Sequence, residues 1–275
     1  MDRVDVAYLL NSTPKYFYLL PLHMILLRRY AEGLKWPVYL ATEYPDDPIC
    51  DLLRRTYDVK ILELSLEDSG FLESRAAAIR LLPPEIRYVL PMQEDFLLER
   101  DVRRSAIEES IEKMDSFTAI ASMRWMPCPG PVGPTGPVNG DRCPGPTGPG
   151  QWAPITEQDT FRFTFQATLW RREVIQDWFT RLLEQFAVDY PEEMPFKERM
   201  ALQIRSNYAE NTRGQDYFIK WLGHMVHLAW IRAHKAPNAV YLSPWPYRPT
   251  AVTNGRLEAW AVELAKREGF PLNAS

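Results

Sequence analysis

The first 125 residues alternate short apolar runs with longer amphipathic ones, and this alternation restricts the fold more than any other feature of the chain. Residues 4–10 (VDVAYLL), 36–42 (WPVYLAT), 59–64 (VKILEL), 87–90 (RYVL) and 119–125 read as strands. Residues 16–32, 51–57, 71–82 and 103–114 read as the helices between them, the first closed by Gly33 and the third by Pro83-Pro84. A strand can rejoin a parallel neighbour only by a crossover, usually a helix, so the pattern predicts a doubly wound α/β sheet. Ligands of such sheets bind beyond the carboxyl ends of the strands. Here those ends are Asn11-Ser12-Thr13, Thr42-Glu43 and Gln93-Glu94-Asp95.

The second half is less regular. Residues 126–154 hold 9 of the 24 prolines and 7 of the 13 glycines, which predicts a long surface loop with local polyproline II character bordering the site. Gly130, Gly133 and Gly136 fall three apart, but three triplets are too short for a collagen helix and the spacing fails at Asn139-Gly140. Residues 161–170 (FRFTFQATLW) read as one or two strands and residues 238–242 as another. Residues 171–186, 192–208, 215–229 and 257–268 read as helices.

Composition removes several classes. With 46% hydrophobic residues the chain can bury a core. A net charge of −4 argues against a general nucleic-acid binder. Cys50, Cys128 and Cys143 are too scattered for a disulfide framework or a zinc site, which predicts reduced thiols and a cytoplasmic protein. No run approaches the roughly 20 apolar residues of a membrane span, and the start of the chain lacks a signal-peptide pattern. The phosphate loop, the dinucleotide fingerprint and the hydrolase nucleophile elbow are all missing.

The chemistry concentrates in RYVLPMQEDFLLER, residues 87–100. An apolar strand delivers Glu94 and Asp95 side by side and returns at once to apolar residues. Two acids beside a buried strand need compensation. Either a hard divalent cation, Mn²⁺ or Mg²⁺, supplies it together with substrate phosphates, or the pair is a surface turn paired with Arg87 or Arg100.

A strand ending in such a cluster after three βα units resembles the GT-A glycosyltransferases, over roughly residues 4–230 in element order. The segments NSTPKYFYLLPLH, ATEYPDDP, LPMQEDFLL and FQATLWRR also look like those of glycosyltransferase-like proteins of microbes and large viruses. The resemblance implies a Rossmann-like mixed sheet flanked by helices, in one domain over residues 1–275. Residues 1–125 would be the nucleotide-sugar-binding half, 126–154 the Pro/Gly-rich insertion, and 155–275 the acceptor half with the C-terminal tail. It implies a hexosyl or deoxyhexosyl transferase moving a sugar from a nucleotide-diphosphate donor to a glycan, lipid or protein hydroxyl.

Carried onto this chain, the resemblance assigns Asp95 to the metal and Glu94 to the sugar or ribose, with Gln93 replacing the usual first acid. Asn11, Thr13, Thr42, Glu43 and Arg75 would bind the donor, and Gln166 and Trp170 the acceptor. Asp216 or Glu210 would be the general base if transfer inverts. Ordinary capping and turn chemistry is the competing reading for Asn11, Thr13 and Thr42, and core packing for Trp170. Arg171, Arg172 and Arg248 are further candidates for phosphate or an anionic acceptor, and the segment 243–255 for a cover over the site. His224, His227 and His234 are minor metal candidates. A metal-dependent nucleotidyltransferase and a non-catalytic scaffold using the Pro/Gly-rich loop are the alternatives.

Overall fold

The computed structural model describes residues 4–66, 70–118, 120–125, 152–155, 166–189, 238–241, 245–248, 251–253, 255–270 and 272. The strand β1 (Val6–Asn11) lies inside the sheet, because its sequence VAYLLN offers nothing that needs water before Asn11. It pairs in parallel with β2 (Val38–Thr42) and with β4 (Tyr88–Gln93), and β2 pairs in parallel with β3 (Lys60–Glu63). β3 ends the sheet, and the exposed Lys60 and Glu63 suit an edge. A two-residue strand β5 (Leu97–Leu98) follows β4.

Beyond β4 the sheet is mixed. With β6 (Ser122–Arg124), β7 (Trp152–Ile155), β8 (Thr168–Arg171) and β9 (Asn238–Tyr241), the described residues form eight strands in the order β3-β2-β1-β4-β8-β6-β9-β7. β8 is antiparallel to both β4 and β6, β9 is parallel to β6, and β7 is antiparallel to β9. This is the Rossmann-like mixed sheet flanked by helices that the resemblance implied.

Strand alternation sorts the core into two layers. Val6, Tyr8, Leu10, Tyr88, Leu90 and Met92 face α1 (Leu20–Tyr30), α2 (Pro48–Tyr57) and α4 (Arg104–Ser116). Ala7, Leu9 and Val89 face α3 (Phe71–Leu81) and α5 (Arg172–Asp189). The closing helix α6 (Ala259–Arg267) joins the first layer, where Trp36, Trp125 and Trp245 stack with centroids 5.9 to 6.4 Å apart.

Three expectations need correction. Residues 16–32 are not one helix: a 3-10 segment, Pro14–Leu19, precedes α1. Pro21 has no N–H to give the Phe17 carbonyl, so Leu20 takes that carbonyl in the tighter i→i−3 pattern. The fourth strand does not stop at Leu90 but continues through Pro91 to Gln93. The Tyr88 N–H donates to Asp5 on the β1 side, so by alternation the Pro91 nitrogen faces β8, whose pairing has ended at Val89. A proline is tolerated where no ladder bond is due.

The third correction concerns Arg171 and Arg172, which serve carbonyls rather than phosphate. Arg171 donates to Met114, to Phe117 at 3.0 Å and to Ile120 at 2.7 Å, closing the end of α4. Arg172 donates to Leu82 at 2.7 Å and to Pro83 at 2.5 Å, closing the end of α3. Both are the cationic C-terminal caps that a helix dipole favours. Arg171→Met keeps the aliphatic stem but strands these carbonyls, and unfolding in urea should show a loss on the order of 2–4 kcal/mol. Unchanged stability would mean that these carbonyls do not depend on Arg171.

Candidate functional site

The β1–β4 register brings three chain segments to one rim. Asn11 lies between Ala41 of β2 and Gln93 of β4. Beyond them opens a cavity of about 300 Å³. β1 and the 3-10 segment contribute Asn11, Ser12, Thr13 and Tyr16; β2 and its turn contribute Ala41 and Glu43. Leu64 lies at one wall, α3 supplies Ser74 and Arg75, and the end of β4 supplies Gln93 and Glu94. The Asn11 amide donates to the Ser74 carbonyl at 3.4 Å, tying the strand end to α3. Five of the donor-side residues expected from the sequence, Asn11, Thr13, Glu43, Arg75 and Glu94, thus line one cavity.

Glu94 and Asp95 are both nearly buried, at 8% and 9% exposure. The Glu94 carboxyl is pushed up to about 7, chiefly by burial, with Asp95 adding to the shift and the Glu94 N–H, Arg75 and Ser12 opposing it. Asp95 is pushed up to about 6 by burial, against the N–H groups of Val252 and of Asp95 itself. One oxygen of Asp95, Oδ1, is buried with no hydrogen-bond partner. The acids form no surface turn paired with Arg87, whose guanidinium binds Asp5 and Asp115 instead.

The turn that carries them is tightly held. Phe96 N–H donates to the Gln93 carbonyl at 3.1 Å, and Ala251 N–H to the Asp95 carbonyl at 3.0 Å. The Glu94 carbonyl lies 3.1 Å from Nδ1 of His23, a residue of α1 whose burial lowers it to about 4. The C-terminal segment does cover the acid turn: β10 (Tyr247–Arg248) pairs with β5, and Tyr247 packs on Phe96 with centroids 5.0 Å apart.

A hard cation fits this donor set. An orphaned carboxylate oxygen in a low-dielectric setting wants a positive charge, and Mg²⁺ or Mn²⁺ characteristically takes only one or two protein carboxylates. Among the described residues no group of three His, Cys, Asp or Glu side chains is gathered for a metal. The remaining ligands would therefore come from phosphate and water.

Other expectations fall elsewhere. Thr42 is fully buried and its hydroxyl accepts from Tyr44 N–H at 3.2 Å, so it caps the β2 turn rather than facing the cavity. Trp170 is 3% exposed in the layer against α3 and α5, so it packs the core and presents no face to an acceptor. Gln166 is tied to the cover: its Oε1 accepts from the Tyr247 hydroxyl, which in turn accepts from Ala167 N–H at 3.0 Å. Asp216, Glu210, His224, His227, His234 and the Pro/Gly-rich stretch 126–151 lie outside the described residues, as does the Arg248 side chain.

The sequence reading missed Tyr16, Ser74, Tyr18 and His23. Tyr18 is 42% exposed, and its hydroxyl is raised by burial and by the charges of Tyr16, Glu94 and Asp95. Lys15 stands 5.1 Å from the centroid of the ring of Tyr16, itself a lining residue. Two tyrosines after Ser-Thr-Pro were the available signal, but a continuous helix would have turned them to different faces.

No protein-family model matches the chain, and no curated protein matches it. Solved structures do. TarS of S. aureus aligns over 89% of this chain at 13% identity with a TM-score of 0.48, and this chain spans 36% of TarS. Mouse xyloside xylosyltransferase 1 aligns over 82% of this chain and 84% of its own at 14% identity and a TM-score of 0.44. The 4-diphosphocytidyl-2C-methyl-D-erythritol synthase of Anaerococcus prevotii aligns over 76% and 85% at 10% identity and a TM-score of 0.40. What this chain does rests on its own residues.

The raised Asp95 carboxyl has a consequence for stability. Its folded value of about 6 lies above the ordinary 3.8, so ionisation costs the fold as pH rises from 4 through 6. Asp95→Asn should therefore stabilise the metal-free protein at pH 8 by on the order of 2–3 kcal/mol, with the gain vanishing toward pH 4. Thermal unfolding from pH 4 to 8 reads this directly; a gain independent of pH would mean that Asp95 is not desolvated.

Proposed function

We propose that this chain is a glycosyltransferase that takes a hexosyl or deoxyhexosyl group from a nucleotide-diphosphate donor and places it on a hydroxyl of a glycan, lipid or protein. The observation that carries the reading is the cavity at the strand carboxyl ends. There polar groups for a base and ribose, the cation Arg75 and Glu94 of the buried acid turn meet in one space, while Asp95, next to Glu94 in that turn, is not among the lining residues. Asn11, Thr13 and Glu43 would bond the nucleoside, and Arg75 the diphosphate. Asp95 would hold Mn²⁺ or Mg²⁺, which supplies Lewis-acid stabilisation of the departing diphosphate. Glu94 would orient the sugar or ribose.

In the transfer, the bond between the anomeric carbon and the diphosphate oxygen breaks, and the acceptor oxygen bonds to that carbon. If the reaction inverts, Asp216 or Glu210 receives the acceptor proton. Among the described residues no helix is long and apolar enough to cross a membrane. We place the reaction in the cytoplasm on the reduced state expected of the three cysteines.

UDP and UDP-GlcNAc, the ligands of the solved TarS fragment complexes, are the first members of a nucleotide-sugar panel to try. A donor at about 100 times its dissociation constant adds roughly 2.7 kcal/mol, or about 5–10 °C in melting temperature for a chain of this size. The shift should need Mn²⁺ or Mg²⁺ and disappear in Asp95→Ala. Arg75→Met should weaken the responding donor about tenfold or more. Turnover of a nucleoside triphosphate to pyrophosphate instead would make the chain a nucleotidyltransferase. No shift with any nucleotide, together with loss of a binding partner on deleting residues 129–150, would make it a scaffold.

A further inference from the structure

His23 is 2% exposed on α1, and both of its ring nitrogens are engaged. Nε2 lies 2.6 Å from the Tyr8 hydroxyl, and Nδ1 lies 3.1 Å from the Glu94 carbonyl. A carbonyl only accepts, so Nδ1 carries the proton. Nε2 is then the acceptor and the Tyr8 hydroxyl the donor. The ring is neutral and its tautomer is set by its two partners.

The bond to Glu94 falls at a decisive place. The Glu94 carbonyl belongs to the peptide unit between the two acids, and the tilt of that unit sets the directions of both side chains. Three successive carbonyls of the turn each receive one donor: Phe96 N–H on Gln93, His23 Nδ1–H on Glu94, and Ala251 N–H on Asp95. The middle donor is a side chain, supplied from a helix that the cavity does not touch. An aliphatic residue at position 23 would fill the volume but leave a buried carbonyl unpaired.

We propose that His23 is the positioning residue of the acid turn: it holds the Glu94–Asp95 peptide in the orientation that aims the Glu94 carboxylate into the cavity and fixes the direction of Asp95, and Tyr8 keeps it in the donating tautomer. The inference rests on reading those acids as part of a nucleotide-sugar site. His23 touches no substrate and acts only through the turn, as outer-sphere groups orient ligands elsewhere.

The test joins a structural readout to a binding readout. Nitrogen NMR of the imidazole should find Nδ1 protonated; a protonated Nε2 with a bare Nδ1 would overturn the proposal. In His23→Leu, the Phe96 amide should exchange at least tenfold faster relative to the Leu9 and Leu10 amides of β1. The affinity for Mn²⁺ with UDP should fall at least tenfold. His23→Asn, whose amide nitrogen sits near the Nδ1 position, should recover most of both. Should His23→Leu fail to fold, Tyr8→Phe preserves the core and should admit the Nε2–H tautomer with a severalfold loss of affinity.

Equal acceleration of all amides would make His23 an ordinary core residue and overturn the proposal, as would a loosened turn with unchanged Mn²⁺–UDP affinity. If the wild type binds no Mn²⁺–UDP, the donor reading for that nucleotide fails. The amide-exchange and tautomer results still decide whether His23 holds the turn.

Discussion

Six consecutive partners, Val6 with Tyr88 through Asn11 with Gln93, lock β1 against β4, and the acid turn takes its place beside the β1 loop from that ladder. A slip of β1 by one residue would send Tyr8 and Leu10 into the layer that now holds Ala7 and Leu9, and the large Tyr8 side chain would replace Ala7 in a packed core. The same register sets Asn11 beside Gln93 and therefore sets the acid turn beside the β1 loop. β2 adds Ala41 on the other flank, so three loops converge without any contact among the loops being needed to define them. The cavity is a consequence of sheet geometry before it is a consequence of side-chain chemistry.

The acid turn is the costly part of this arrangement. Glu94 and Asp95 are desolvated, sit next to each other, and gain only partial relief from Arg75 and a few N–H groups. A fold selected for stability alone would put an amide or an apolar residue there. Retaining two carboxyls whose ionisation is disfavoured makes sense where a cation restores the balance on binding. Rigid backbone holding keeps the charges where they are expensive: relaxing the turn toward water would lower the cost and lose the aim.

How far the sequence disclosed this depends on the kind of signal. Continuous apolar runs and the helices between them made the parallel half legible, because burial on both faces leaves a plain apolar signature in VAYLLN and VYLAT. The mixed half was harder to read. β6 and β8 have only three and four residues, and their antiparallel pairing joins segments separated by the Pro/Gly-rich stretch. At the site, polar residues at strand ends were legible, since position alone brings Asn11, Glu43 and Glu94 to the rim.

Residues whose role depends on tertiary partners were not legible in this way. Thr42 has the right address but spends its hydroxyl on its own turn. Arg171 and Arg172 look like anion binders until α3 and α4 end beside them. His23 looked like an interruption in an apolar helix, because its partners are 15 residues behind it and 71 ahead.

The C-terminal segment adds a constraint that neither half of the sheet supplies. Tyr247 links Gln166 and Ala167 at the start of β8 to the ring of Phe96, one residue past Asp95. Four residues later, Ala251 N–H binds the Asp95 carbonyl, and Val252 N–H reaches its carboxylate. Chain from beyond residue 245 thus reaches back about 150 positions to fasten the acid turn within the same core layer as α1. Such long-range fastening carries a loop-closure cost, which the contacts of the assembled sheet and core repay. The cost of the desolvated carboxylates is therefore borne by the core around them, with β4, α1 and the C-terminal segment holding the turn together.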